Sequence, residues 1–278
     1  MDLLLLIIAG IAVGLVYIIS KKLALEKYHP ATYTTAFSIL GCLLAIPLLL
    51  YHFKIPTTIN YWILAIISML TYGLGNMFGF KAFKTIDAST VGLVSRLNLI
   101  VASFIGLLVL QESYSTSAYI GLFLILFGSL IVVFEKQRFK LKPGILFATF
   151  MAVGYGLAAV FDKKILDAFS PYTYVFINSF GVGLLFSLIY RQARLETWHL
   201  IKHKAKLLTT GVALNIASWT LFLIVLERGQ VSKIYPMYDG IALMVTVFVG
   251  IFALKERDKL IQKILGSLSI ISGIILLG

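Results

Sequence analysis

The chain has 278 residues, 60% of them hydrophobic and only 13% charged, with a mean hydropathy of +0.97. Soluble domains carry about a quarter charged residues, so an ordinary soluble protein is excluded. The net charge of +12 would suggest nucleic acid in a soluble protein; here it reads as basic loops flanking membrane segments, with no nucleic-acid partner. Cys42 is the single cysteine and lies inside an apolar run, which rules out disulfides and cysteine metal sites.

Crossing the hydrocarbon core takes about 20 predominantly apolar residues. Ten runs qualify: 2–20, 31–51, 60–80, 86–110, 115–134, 143–162, 171–190, 206–226, 231–254 and 260–277. The first carries Asp2 where a secretory signal would be basic, so it reads as a span and not as a cleavable leader. Asp87-Ala-Ser-Thr90 marks a capped start for span 4, and Ser170-Pro171 one for span 7. Pro143 opens span 6 at a first-turn position favourable for proline. The connection 191–206 mixes Arg, Lys, His and Trp198 and reads as an amphipathic stretch at the membrane surface. Gly121/Gly128 in span 5 and Gly266/Gly273 in span 10 lie seven apart on one helix face of nearly aliphatic helices. These two spans read as scaffold or oligomer helices. Gly10/Gly14, Gly73/Gly75/Gly79, Gly154/Gly156 and Gly181/Gly183 read as close helix packing.

The second half repeats the first. Gly14-Leu-Val-Tyr-Ile-Ile-Ser-Lys-Lys22 aligns with Gly156-Leu-Ala-Ala-Val-Phe-Asp-Lys-Lys164, Pro30-Ala-Thr-Tyr33 with Pro171-Tyr-Thr-Tyr174, and Gly106-Leu-Leu-Val-Leu-Gln-Glu112 with Gly250-Ile-Phe-Ala-Leu-Lys-Glu256. Five spans per copy force the second to enter the membrane upside down. The expected fold is therefore an all-α integral membrane protein of ten transmembrane helices in two inverted five-helix repeats, 1–135 and 143–278, joined by a hinge at 136–142. Inverted repeats are a recurrent carrier architecture, with the substrate at the repeat interface near the midplane.

Charged groups inside spans are costly and are functional candidates by default. Arg96 lies deep in span 4 and Asp239 deep in span 9, and the repeat alignment puts Asp239 opposite Ser95, at nearly the depth of Arg96. Three roles follow: a structural pair, recognition of a zwitterion, or a coupling proton carried by Asp239. Tyr235 precedes Asp239 by one turn, and Asn98 follows Arg96. Tyr72/Asn76, Asn215/Trp219 and Tyr155 add aromatic and amide groups suited to a small organic ligand. Asp162 reads as an interfacial ion pair with Lys163 and Lys164, and Glu112 and Glu256 as capping or loop residues. All four histidines fall in connections, and no metal-ligand spacing, phosphate loop or nucleophile–base pair is present. No cofactor or metal is expected.

Phe80-Lys-Ala-Phe-Lys-Thr-Ile-Asp-Ala-Ser89, running on to Leu108-Val-Leu-Gln-Glu-Ser113, resembles the EamA family of the drug/metabolite transporter superfamily. Leu226-Glu-Arg-Gly-Gln-Val-Ser232 and Leu254-Lys-Glu256 supply the second copy. The Ser-x-x-Pro usual in the fourth span is missing, with Leu99 in place of the proline and Pro236 two turns earlier in copy two. The resemblance implies that spans 3, 4, 8 and 9 line one cavity.

The resulting expectation is a secondary carrier of a small organic metabolite, an amino acid or amine, in the cytoplasmic membrane, driven by a proton or substrate gradient, monomeric or homodimeric, and not an enzyme. A channel, a structural membrane subunit and a lipid-acting membrane enzyme are the alternatives. Loop charges (18 Lys and Arg in odd loops against 5 in even loops and termini) place odd loops in the cytoplasm, whereas the resemblance implies cytoplasmic termini.

Overall fold

A computed structural model describes residues 2–106, 108, 115–133, 142–253, 255 and 260–277. Glu112, Glu256 and residues 136–141 of the hinge lie outside the described residues. Twelve helices follow in order: α1 (Asp2–Ala24), α2 (Pro30–Tyr51), α3 (Ile59–Thr85), α4 (Ala88–Ser95), α5 (Leu97–Ile105), α6 (Thr116–Val133), α7 (Pro143–Ile165), α8 (Pro171–Ile189), α9 (Arg191–His203), α10 (Ala205–Arg228), α11 (Val231–Ala253) and α12 (Leu260–Leu277). Among the described residues all regular structure is helical, as apolar segments in lipid must be, because a helix satisfies its own backbone. Among the described residues eight segments are long and apolar enough to cross a membrane, counting α4 and α5 together; α6 and α12 are shorter apolar helices.

Pro30, Pro143 and Pro171 each open a helix, where the missing N–H costs nothing. Ser170 caps α8, its Oγ accepting the Thr173 N–H at 3.2 Å. Asp87 stands at the N-cap of α4, but its carboxylate leaves the backbone and binds the Lys263 ammonium of α12 at 2.8 Å.

Span 4 departs from the sequence expectation. It breaks at Arg96, with no proline present. The Arg96 N–H bonds back to Leu93 O at 3.2 Å, while the carbonyl it would normally reach, Gly92 O, accepts the Arg96 Nε–H at 2.8 Å and the Ser95 hydroxyl at 2.8 Å. Side-chain donors thus replace the backbone donor, one of the recognised causes of a helix break.

The halves interleave. Repeat-equivalent helices pack on each other, α2 on α8 and α6 on α12, and the other large interfaces come in reciprocal pairs, α1·α10 with α3·α7 and α1·α11 with α5·α7. Self-pairing of equivalents with reciprocal cross-pairing marks a pseudo-two-fold. Small residues make the approach possible: a Cβ on Gly14 would meet Val245 Cβ at 2.7 Å, and one on Gly156 would meet Val101 Cβ at 2.7 Å, the equivalent contact. In the α6·α12 seam a Cβ on Gly128 would lie 2.7 Å from Gly266 O, and one on Gly273 2.5 Å from Gly121 O. The repeat also duplicates a cap. Lys21 Nζ donates to Phe83 O (2.8 Å) and Ile86 O (2.7 Å) at the end of α3, and Lys163 Nζ to Leu226 O (3.0 Å) and Glu227 O (3.2 Å) at the end of α10. Each satisfies orphan carbonyls at a negative helix terminus.

The 191–206 connection forms α9, with Ala193, Thr197 and Leu200 buried and Leu195 and Trp198 exposed. It is tied to the α1–α2 turn. Glu196 accepts from the His29 N–H (3.2 Å) and the Thr32 hydroxyl (2.9 Å), Tyr28 OH meets His199 Nδ1 at 2.6 Å, and Lys204 pairs with Glu26 at 2.5 Å.

Two outcomes are expected. Gly128→Leu and Gly273→Leu should each cost about 1–3 kcal/mol by overpacking a backbone contact, read as a lowered thermal midpoint in detergent. Gly41→Ala, whose Cβ would meet only side-chain ends, Ile216 Cδ1 at 3.2 Å and Ser179 Oγ at 3.4 Å, should be far milder. The second concerns His29, whose Nδ1 accepts the Ala31 N–H at 3.2 Å and must stay neutral to do so. Burial, aided by the Lys81 ammonium, holds this imidazole below its usual 6.5. The unfolded chain then takes up the proton first, so stability falls as pH drops through the ordinary histidine range and the loss is complete below the folded value. His29→Asn keeps a capping oxygen and should lose less thermal stability than the parent on acidification from about pH 7 to 5.

Candidate functional site

A cavity of ≈130 Å³ opens between the halves. By the measure in which a water needs about 10–15 Å³, that is room for several waters or one small organic molecule. Eight of the nine residues singled out from sequence line it: Tyr72 and Asn76 from α3, Asn98 from α5, Tyr155 from α7, Asn215 and Trp219 from α10, Tyr235 and Asp239 from α11. Their convergence follows from the cost of polar groups facing lipid, which turns each toward the bundle interior.

The ninth, Arg96, is fully buried behind the wall and does not line the cavity. Its guanidinium is committed within the protein. Nη1 pairs with Asp239 Oδ1 at 2.6 Å and also donates to the Asp239 carbonyl, Nε holds Gly92 O, and Nη2 reaches Ser95 Oγ at 3.2 Å. One side chain therefore bridges the broken helix of the first half to α11 of the second. Asp239 Oδ2 is buried and completes no hydrogen bond of normal geometry.

Aromatic rings form a large part of the wall. Trp219 packs edge-on to Tyr72 (5.0 Å) and Tyr174 (5.6 Å), and Phe222 contacts Tyr238 (4.7 Å) and Tyr235 (5.7 Å). Tyr155 OH donates to Asn76 Oδ1 at 2.7 Å and Asn98 Nδ2 donates to Tyr235 OH at 3.0 Å, fixing two of the amides. Among the described residues no Lys, Arg or His lines the cavity, and Asp239 is the single charged group that does.

Sequence reasoning missed the contributions of α1, α2 and α8: Tyr17 and Ser20, Phe37 and Ser38, and Asn178 and Ser179. A signal existed, because Ser38 and Ser179 occupy equivalent mid-span positions of the two repeats. Asp162 needs correction. It is fully buried and pairs with neither neighbouring lysine: Lys163 caps α10, Lys164 is exposed, and the carboxylate instead accepts hydroxyl hydrogen bonds.

A multi-pass helical bundle built twice over, with a polar-lined cavity where the two copies meet, is the architecture of a membrane transporter. The chain belongs to the EamA-like transporter family, whose sequence profile matches residues 1–134 and again 142–278. This makes it a transporter of the drug/metabolite type, and that family consists of transporters and not enzymes. No curated protein matches the chain significantly. Among 27 matching solved chains, one titled only "Crystal structure of protein" superposes with a TM-score of 0.67, covering 96% of this chain and 94% of its own length at 15% identity. That likeness concerns the fold alone.

The Arg96–Asp239 pair generates a prediction. Removing one partner strands a buried charge, at a cost of about 3–5 kcal/mol, so Arg96→Met and Asp239→Leu should each sharply lower the thermal midpoint in detergent. The double variant should recover much of that loss, and a double variant as unstable as the sum of the singles would show that the pair is not energetically coupled.

Proposed function

We propose that this chain is a secondary carrier of a small amine-bearing metabolite, working by alternating access across the cytoplasmic membrane. The observation that carries the reading is a cavity at the seam of the two halves whose single charged lining group, among the described residues, is a carboxylate, Asp239, with the Arg96 guanidinium paired to it from behind the wall and outside the lining. Oδ1 holds Arg96, and Oδ2 is left for a ligand donor. Tyr235, Tyr238 and Phe222 stand around it, and aromatic faces attract ammonium groups. An amino acid is the neighbouring case, its carboxylate met by amides such as Asn178 and Asn215, since Arg96 is already engaged.

Ten spans in two inverted repeats fit this reading. The reading takes α4 and α5 together as one span, α9 as the connection at the membrane surface, and the shorter apolar helices α6 and α12 as the fifth span of each half. Rocking of one half against the other around a fixed midplane site is the motion such repeats permit. The isolated polar groups supply no continuous pore-lining stripe of the kind a channel uses.

Thermal shift of the purified protein tests ligand class, with ethanolamine, alanine and succinate as probes. Ethanolamine at 100 times its dissociation constant should add about 2.7 kcal/mol of stability, and the shift should vanish in Asp239→Asn. Stabilisation by succinate alone would overturn the amine reading. Counterflow in proteoliposomes tests the carrier: unlabelled ethanolamine inside should accelerate uptake of labelled ethanolamine, and flux without such stimulation indicates a channel. Orientation is set by Gln192→Cys on a Cys42→Ser background. The loop charges place α9 in the cytoplasm, so a membrane-impermeant thiol reagent should not label it in intact cells, and labelling would show cytoplasmic termini instead.

A further inference from the structure

Asp162 on α7 is a fully buried carboxylate with no cation paired to it among the described residues. Three hydroxyls surround it. Tyr72 OH on α3 reaches Oδ2 at 2.5 Å, while Tyr174 OH on α8 and Ser68 Oγ on α3 reach Oδ1 at 2.7 and 3.3 Å. Tyr174 OH and Ser68 Oγ lie 2.7 Å from each other, and Asn178 Nδ2 donates to Tyr174 OH at 3.3 Å. The titratable groups facing the carboxylate are Tyr72 and Tyr174. From α10 comes the indole of Trp219, within electrostatic reach but without a hydrogen bond of normal geometry. On its own helix, Lys163 is spent on the carbonyls ending α10 and Lys164 points out.

The chemistry of this cluster differs from that of Asp239. A hydroxyl can donate or accept, whereas a guanidinium only donates. Ionised, Asp162 collects three O–H donors. Protonated, it donates its own O–H into the Tyr174–Ser68 pair, whose hydrogens turn to suit. Both protonation states are satisfied by rotation of hydroxyls alone. At Asp239 a proton would strand Arg96, a buried charge with no other acid beside it.

The cluster also borders the cavity. Tyr72 and Asn178 line it, and Tyr72 packs on Trp219 at 5.0 Å. While Asp162 is ionised, the single hydroxyl hydrogen of Tyr72 is held by Oδ2. Once Asp162 takes a proton on Oδ1, Oδ2 becomes a neutral carbonyl acceptor whose hold on that hydrogen is weaker, so the hydroxyl is able to turn toward the cavity and donate to whatever occupies it.

We infer that Asp162 is a proton-binding site whose occupancy switches the Tyr72 hydroxyl between the carboxylate and the substrate cavity, coupling proton to substrate movement. The coupling rests on the carrier reading above; proton binding does not. The only bond made and broken is the O–H of the carboxyl, with the proton taken from water on one side and released to water on the other.

The proton itself is the first probe. In a W62F/W198F protein Trp219 is the sole tryptophan and sits against Tyr72 and Tyr174. Its emission, followed from about pH 5 to 8, should show a one-proton transition that persists in the Arg96→Met/Asp239→Leu double variant, which strands no buried charge, and disappears in Asp162→Asn. If Asp162→Asn does not fold, Tyr72→Phe removes one donor and should displace the midpoint. A transition absent from the parent, retained in Asp162→Asn, or unmoved in Tyr72→Phe overturns the site. In proteoliposomes, Asp162→Asn should keep ethanolamine counterflow and lose its acceleration by a pH gradient. Absence of counterflow in the parent sinks the carrier reading, while counterflow whose pH-gradient response survives Asp162→Asn sinks the coupling.

Discussion

The bundle depends on a single cross-half interaction, the grip of Arg96 on Asp239. A guanidinium near the middle of a membrane helix is tolerated only when its donors are used, and here they are used by two different halves of the chain. Within its own half Arg96 takes the carbonyl its backbone has relinquished, which breaks the helix. Across the seam it takes both the carboxylate and the carbonyl of Asp239. The break, the cavity wall and the register of α11 against α4 and α5 are therefore consequences of one residue. With Oδ1 held from behind, Asp239 faces the cavity in a fixed orientation, the preorganisation that makes a buried charge selective.

Around this fixed point a symmetric scaffold carries asymmetric chemistry. Lys21 and Lys163 do the same work in the two halves, each closing the third helix of its repeat. The residues just before them diverge: Ser20 lines the cavity, while its equivalent, Asp162, sits within a hydroxyl cluster. Span 4 holds a break and a cation, whereas α11 runs unbroken through Pro236 and holds the anion. Backbone and glycine contacts preserve the pseudo-two-fold, because a Cβ at Gly14 or Gly156 would collide with the same partner helix of the opposite half. Side chains facing the cavity are free of that constraint.

The helices were legible because in lipid an apolar run has one stable conformation. The convergence of Tyr72, Asn76, Asn98, Tyr155, Asn215, Trp219, Tyr235 and Asp239 was legible for the complementary reason, since none can face hydrocarbon without cost. What escaped were positions where the sequence offered a cheaper explanation. Asp162 has two lysines beside it in sequence, and an ion pair satisfied the pattern; its true partners come from α3 and α8, about 90 residues before and 12 after it. The break at Arg96 lacked the usual proline, because a side chain competing for an i−4 carbonyl leaves no mark in composition. Ser20, Ser38 and Ser179 were passed over because serine is unremarkable in a membrane helix, where its hydroxyl can bond its own backbone.

Interleaving of the halves has a consequence for synthesis. Arg96 and Asp239 are separated by 143 residues of chain. At ribosomal speeds of about 5–20 residues per second, roughly 7–30 s pass between the emergence of the cation and that of its anion. Through that interval the first half stands in the membrane with an unneutralised guanidinium; α7 and α8 emerge within it to meet α3 and α2, whereas α12, the main partner of α6, follows later still. A chain truncated before α11 leaves the guanidinium without its carboxylate, a buried unpaired charge of the kind that destabilises a bundle most.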